Sequence, residues 1–219
     1  MIFPSPGRIS GLTEHSYVSG ERMDARFDLI AQNCALHLVT ANTPPYIRVS
    51  YSRFAMSYIA RDDRPADKAA RYAEVEAEIL AVLEGEPNRT ARMATVASML
   101  ADAFPIFFWT GFYVVDEIKA DELVVGPYQG TLGCLRIAFG RGVCGTAAAT
   151  HQTQIVQDVH AFPGHIACDT RSASEIVVPV VDASGQLIAV FDVDATEVAA
   201  FDDVDAHALE RLLAKVFAA

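Results

Sequence analysis

The feature that most constrains this chain is a hydrophobic period that changes twice along its length. Residues 69–84 place Tyr72, Val75, Ile79 and Leu83 at three- and four-residue spacing, with acids on the other side, which predicts an amphipathic helix. Gly85, Pro87 and Asn88 end it, and Asn88 is placed to cap a second helix. That helix carries Met93, Val96, Leu100 and Phe104 on one stripe and stops before Pro105. From residue 107 the period falls to two. The aromatic and β-branched run 107–115 predicts a strand, and further strands follow at about 121–126 and 134–139, the last with Leu135, Ile137 and Phe139 on one side. Gly140 and Gly142 turn the chain into a short helix over 143–150. A strand at 154–158, an irregular loop over 159–174 and a hairpin of 175–182 with 186–194 come next. Asp202 then caps a last helix whose buried stripe is Leu209, Leu212, Leu213, Val216 and Phe217. Helices at both ends with hairpin-linked strands between predict an α+β fold, an antiparallel sheet with helices packed on it.

The 219 residues are enough for one domain and an additional segment. The expected division is an N-terminal extension over 1–68 and a domain over 69–219. In the extension, prolines at 4, 6, 44, 45 and 65 break long elements, only 22–39 looks helical, and Met56 offers an alternative start. Against 28 acidic residues stand 17 basic ones, a net charge of −11, which excludes a nucleic-acid or anionic-membrane partner because both need a basic footprint. Residues 96–115 are apolar, yet Asp102 and Pro105 split them into a helix end and a strand, so no membrane span is expected. The first residues show no basic stretch followed by an apolar run, so a cytoplasmic, reducing compartment is expected. Cysteines there are redox-active, metal-binding or inert rather than permanent staples.

Three acids converge on the hairpin. Side chains alternate along a strand, so Asp192 and Asp194 share a face about 6–7 Å apart, with Val190 and Ile188 as face-mates. If Val181 pairs with Gln186, Glu175 lies opposite Asp192; if Ala183 pairs with Gln186, it lies opposite Asp194. Either register gathers three carboxylates, which repel unless one stays protonated or a cation joins them. The bland alternative is a solvated strand end. A metal is disfavoured, because no His or Cys stands at ligand spacing in the same strands.

Cys34, Cys134, Cys144 and Cys168 are the four cysteines. Cys144 opens the short helix beside Arg141, where the helix dipole lowers a thiol pKa. Cys168 lies in the long loop beside His165 and Arg171, also an activating setting, and electrostatics does not choose between the two. A zinc set of His160, His165 and Cys168 lacks a second Cys/His pair to complete it. Cys34 reads as an ordinary buried or incidental thiol.

The segments FFWTGFYVV, VGPYQG, CLRIAFGRGVCGTAAA, TQIVQDVHAFPGHIACD and SEIVVP, with the strand ending in Asp192-Val193-Asp194, resemble free methionine-(R)-sulfoxide reductases, which are stand-alone GAF-domain enzymes. The resemblance runs from about 69 to 217. It implies that Cys168 is the catalytic cysteine, with Cys134 the resolving one and Cys144 the alternative resolver. It also implies that Trp109 and Tyr113 wall the substrate and that Glu175, Asp192 and Asp194 bind it. A thiol-dependent reduction of the free amino acid follows, through a sulfenic acid and an intramolecular disulfide that thioredoxin reduces, with no metal or organic cofactor. A homodimer is likewise implied. The competing expectation is a non-catalytic GAF sensor of a small molecule, for which three acids are a poor phosphate pocket.

Overall fold

The computed structural model describes residues 64–166 and 168–218. The helix expected at 22–39, Met56 and Cys34 lie outside the described residues. Helices α1 (Lys68–Val82) and α2 (Arg89–Ala103) come first, and Asn88 caps α2 by accepting from the Ala91 N–H at 2.9 Å. The strands are β1 (Trp109–Val115), β2 (Glu122–Gln129), β3 (Arg136–Ala138), β4 (Gln154–Val156), β5 (Ser174–Val181) and β6 (Leu187–Ala195). Helix α3 (Gly142–Thr150) separates β3 from β4, and α4 (Asp203–Phe217) closes the chain. Asp202 caps α4 reciprocally with Asp205, as Asp202 Oδ1 accepts from the α4 backbone and the Asp202 N–H donates to Asp205 Oδ2 at 2.8 Å.

Among the described residues the strands form one sheet in the order β3-β2-β1-β6-β5-β4, each neighbouring pair antiparallel. The α+β fold expected from the sequence is the one observed. β6 sits centrally, so both of its faces are covered. On one side Phe112, Ile176, Val178, Phe191 and Val193 pack against α1, α2 and α4 in a continuous apolar core. Burying each large side chain there stabilises the fold by about 1.5–3 kcal/mol before entropy is counted. On the other side lie α3, the loop after it and a smaller cluster that includes Trp109, Tyr113, Cys144 and Val190.

Two local expectations need correction. Ile188 packs with the helix-side core rather than with Asp192 and Asp194. Val180 pairs with Ala189 but Val181 pairs with Leu187, so a bulge at Ile188 reverses the alternation toward the turn. Cys134 does not begin a strand, and Leu135 is 69% exposed rather than a face-mate of Ile137, because the chain joins the sheet only at Arg136. Among the described residues no helix is long and apolar enough to cross a membrane.

Candidate active site

The site is built across three adjacent strands. Glu175 of β5 lies opposite Asp194 of β6, which lies opposite Trp109 of β1; one pleat along, Val177, Asp192 and Gly111 form the next row. Glu175 faces Asp194 as the tighter register would have it, but the Asp182 N–H donates to the Gln186 carbonyl at 2.9 Å, so the bulge at Ile188 produces that pairing and Ala183 does not pair with Gln186. Tyr113, four residues from Trp109, shares its face, and the two rings stack with centroids 5.5 Å apart. Tyr128 of β2 also stacks on Trp109, at 5.1 Å, and it fits there because Gly111 has no side chain: a Cβ would meet Tyr128 Cβ at 2.2 Å. Gly133 is required for a similar reason, since a Cβ would stand 2.9 Å from the Tyr113 hydroxyl oxygen.

Other elements close over this floor. Helix α3 brings Cys144, whose thiol donates to Glu175 Oε1 at 3.9 Å. The loop after η1 (Val159–Ala161) brings His165, with Nε2 3.7 Å from Glu175 Oε2, and Cys168, with Sγ 4.0 Å from the Tyr113 hydroxyl. The loop between β2 and β3 brings Cys134, which forms a disulfide with Cys168 across a Cα separation of 5.4 Å. The aromatic pair, the acids, Cys144 and Cys168 all line the resulting cleft.

Burial dominates the electrostatics. Glu175 and Asp192 are each only 5% exposed, so they do not form a solvated strand end. Burial, reinforced by the neighbouring carboxylates, pushes both well above the usual carboxylate range. Asp194 is pushed up to about 6, by burial first and then by the charge of Asp169, against a hydrogen bond from Ser172. Among the described residues Asp192 Oδ1 has no hydrogen-bond partner, although it is buried, so the floor of the cleft presents an acceptor still to be satisfied. Burial, and then His160, lowers the His165 pKa, so its contact with a protonated Glu175 joins two neutral groups.

The structure brings Cys134, Cys144, Cys168, Trp109, Tyr113, Glu175, Asp192 and Asp194 to one cleft. It changes the expected electrostatics of two cysteines. Cys144 is not activated by the start of α3, because burial and the facing Asp192 and Glu175 push its thiol pKa up instead. Among the described residues it is the free cysteine. Arg171 is not available to Cys168, since Asp169 binds it through Nε at 3.0 Å and Nη2 at 2.8 Å. The zinc set is not assembled: Cys168 is bonded to Cys134 and His165 faces Glu175. Cys144 comes to the acids from outside their strands, and Cys144, Glu175 and Asp192 bring ligand atoms within 4.8 Å of one another. That buried set has the donor chemistry to hold a cation. Tyr128, Thr131, Asp169 and Ser172 were not foreseen. Of these only Tyr128 had a signal, in the bulge that Gly126-Pro127 introduces opposite Phe112.

Comparison with known proteins gives the same picture. The family model of the GAF domain matches residues 47–218, a span that begins before residue 69. Free methionine-R-sulfoxide reductase of Escherichia coli is 42% identical over 150 residues, which are 68% of this chain and 88% of that one. The X-ray structure of free methionine-R-sulfoxide reductase from Neisseria meningitidis, in complex with its substrate, is 46% identical with a TM-score of 0.67, covering 73% of this chain and 94% of that one. A crystal structure from Burkholderia vietnamiensis described as a GAF sensor protein is 50% identical with a TM-score of 0.65, covering 70% and 94%. With a disulfide at the mouth of an acidic, aromatic-walled cleft and this degree of likeness, the chain belongs to the free methionine-R-sulfoxide reductases of the GAF-domain family, a family of oxidoreductases.

Proposed function

We propose that this protein reduces free L-methionine (R)-sulfoxide to L-methionine, with Cys168 as nucleophile and Cys134 as resolving cysteine. The observation that carries the reading is the Cys134–Cys168 disulfide beside a cleft whose floor is three carboxyl groups and whose wall is Trp109 and Tyr113. A free amino acid has an ammonium that a peptide-bound residue lacks, and Asp194, ionised above about pH 6, supplies its counter-charge. The unpartnered Asp192 Oδ1 is an acceptor for the same ammonium. The stacked rings suit the methyl and thioether end.

The Cys168 thiolate attacks the sulfoxide sulfur while a carboxyl proton passes to its oxygen. Burial keeps Glu175 and Asp192 protonated, so this pair is the proton donor. Transfer of the hydroxyl to Cys168 releases methionine and leaves a sulfenic acid. The Cys134 thiol then displaces water to form the disulfide, and a dithiol protein of the thioredoxin class reopens it by exchange. Cys144 is buried and protonated, which favours Cys134 as resolver. We place this activity in the domain over 69–219, treat 1–68 as an extension to it, and propose a cytoplasmic homodimer. The sensor reading accounts for the cleft and leaves the disulfide without a role.

The test is a single turnover. Fully reduced protein given excess free (R)-sulfoxide and no reductant is expected to release one methionine per chain and lose two thiols, with Cys134 and Cys168 recovered in one disulfide-linked peptide pair. Release of no methionine from folded, reduced protein would overturn the reading.

A further inference from the structure

The two paired cysteines stand on different loops, and their disulfide joins those loops only while it is closed. A second contact joins the same loops. Thr131, three residues before Cys134, donates its hydroxyl to Asp169 Oδ2 at 2.8 Å, and Asp169 directly follows Cys168. Asp169 is held ionised, because it also accepts from the Arg171 backbone N–H at 3.0 Å and from its guanidinium at 3.0 and 2.8 Å. The guanidinium in turn lies over the Phe108 ring, 4.5 Å from its centroid. On the other loop, the Thr131 carbonyl accepts from Trp109 Nε1 at 2.9 Å. Further along, Arg136 is ion-paired to Asp116 and Glu122, which fixes the far end of the Cys134 loop. Both loops are thereby tied to adjacent residues, Phe108 and Trp109, at the start of β1, and the Thr131–Asp169 bond spans the gap between them.

We propose that Thr131 and Asp169 form a latch that keeps Cys134 beside Cys168 while the disulfide is open. They are positioning residues for the resolving step, and the assignment rests on the reading of Cys168 and Cys134 given above. In that step the Cys134 sulfur bonds to the Cys168 sulfur, the S–O bond of the sulfenic acid breaks, and the hydroxyl leaves as water with the Cys134 thiol proton. No further oxidant or reductant is needed. The step is intramolecular, so its rate follows the fraction of time the two sulfurs are adjacent. A hydrogen bond to an ionised carboxylate is among the stronger ones in proteins, and its loss is expected to slow closure about tenfold.

The test uses the full reduced chain and one equivalent of hydrogen peroxide, which forms the sulfenic acid without the amino-acid substrate. Cys134–Cys168 closure is followed by quenched mass spectrometry, and the sulfenic acid is trapped with dimedone. Thr131→Val removes only the hydroxyl and keeps the carbonyl that holds Trp109. It is expected to slow closure about tenfold and to increase the Cys168 dimedone adduct, with the rate of Cys168 oxidation and the melting temperature little changed. Asp169→Ala should slow closure at least as much, and the double variant should be no slower than Asp169→Ala alone, as two halves of one contact require. Closure at the wild-type rate in both single variants would overturn the latch. So would slower oxidation of Cys168 with unchanged closure. Failure of the wild-type chain to reduce methionine sulfoxide would instead count against the substrate reading, because peroxide bypasses that step.

Discussion

The two faces of β6 use one strand for opposite purposes. Phe191 and Val193 point into the helix-side core, where each is fully buried among apolar partners. Asp192 and Asp194, their immediate neighbours, point into the cleft, where burial raises both pKa values, with Asp194 adding to the rise at Asp192 and Asp169 to that at Asp194. The core face stabilises the fold. The cleft face costs stability, since converging acids in a low dielectric must retain protons or find a cation. A strand covered on both sides can hold both only because the core face over-determines its position. The same division separates the cysteines: Cys144 is sealed against the acids, and Cys168 is exposed at the mouth.

The largest effect expected on the cleft face is that of Cys168→Ser. Turnover with a thiol reductant should fall by about a thousandfold or more, because a hydroxyl is a far weaker nucleophile at neutral pH. Its thermal unfolding should match that of the chain with the disulfide reduced. On the core face, Phe191→Ala should destabilise the fold by about 3–5 kcal/mol, read from urea denaturation. Its neighbour sets the contrast. Asp192→Asn should lower kcat/KM about 100-fold while leaving the unfolding midpoint unchanged or higher, because an amide has no carboxyl proton to give yet fills the same space without the cost of holding a buried acid neutral. If Asp192→Asn destabilised the protein as much as Phe191→Ala does, the two faces would not differ as described.

The pH dependence sharpens the same contrast. The folded-state pKa of Asp194, about 6, lies above the unfolded value, so the native chain holds more protons between them. Stability contributed by this group is full below about pH 4 and is lost as pH rises through about 6. Binding of an ammonium needs the ionised form, so kcat/KM should rise over the window in which stability falls. Asp194→Asn should flatten both profiles, and urea midpoints and kinetics from pH 4.5 to 7.5 would check this. The smallest effect expected is that of Cys144→Ala, a less than about threefold change in turnover, since its buried thiol takes no part in the disulfide.

Much of this was legible in the sequence because period carries faces. The alternation that puts Asp192 and Asp194 together, the four-residue spacing of Trp109 and Tyr113, and the cap at Asp202 are local consequences of strand and helix geometry. Ile188 escaped because a bulge at the turn is a pairing defect that alternation does not encode. The high pKa of Cys144 escaped for a different reason. The helix dipole is visible in the sequence, whereas the acids that face the thiol come from β5 and β6 and meet it only in the fold. Thr131 and Asp169 lie on loops without period, 38 residues apart, and nothing local marks their contact.

The most direct measurement is thioredoxin-coupled NADPH consumption with the separated (R) and (S) isomers of free L-methionine sulfoxide and with the N-acetylated (R) compound. Turnover of the free (R) isomer alone is the expected result, since the acidic floor holds the ammonium that acetylation removes. Equal turnover of the N-acetylated compound would contradict the assignment of the three acids, and turnover of none of them would contradict the reductase itself.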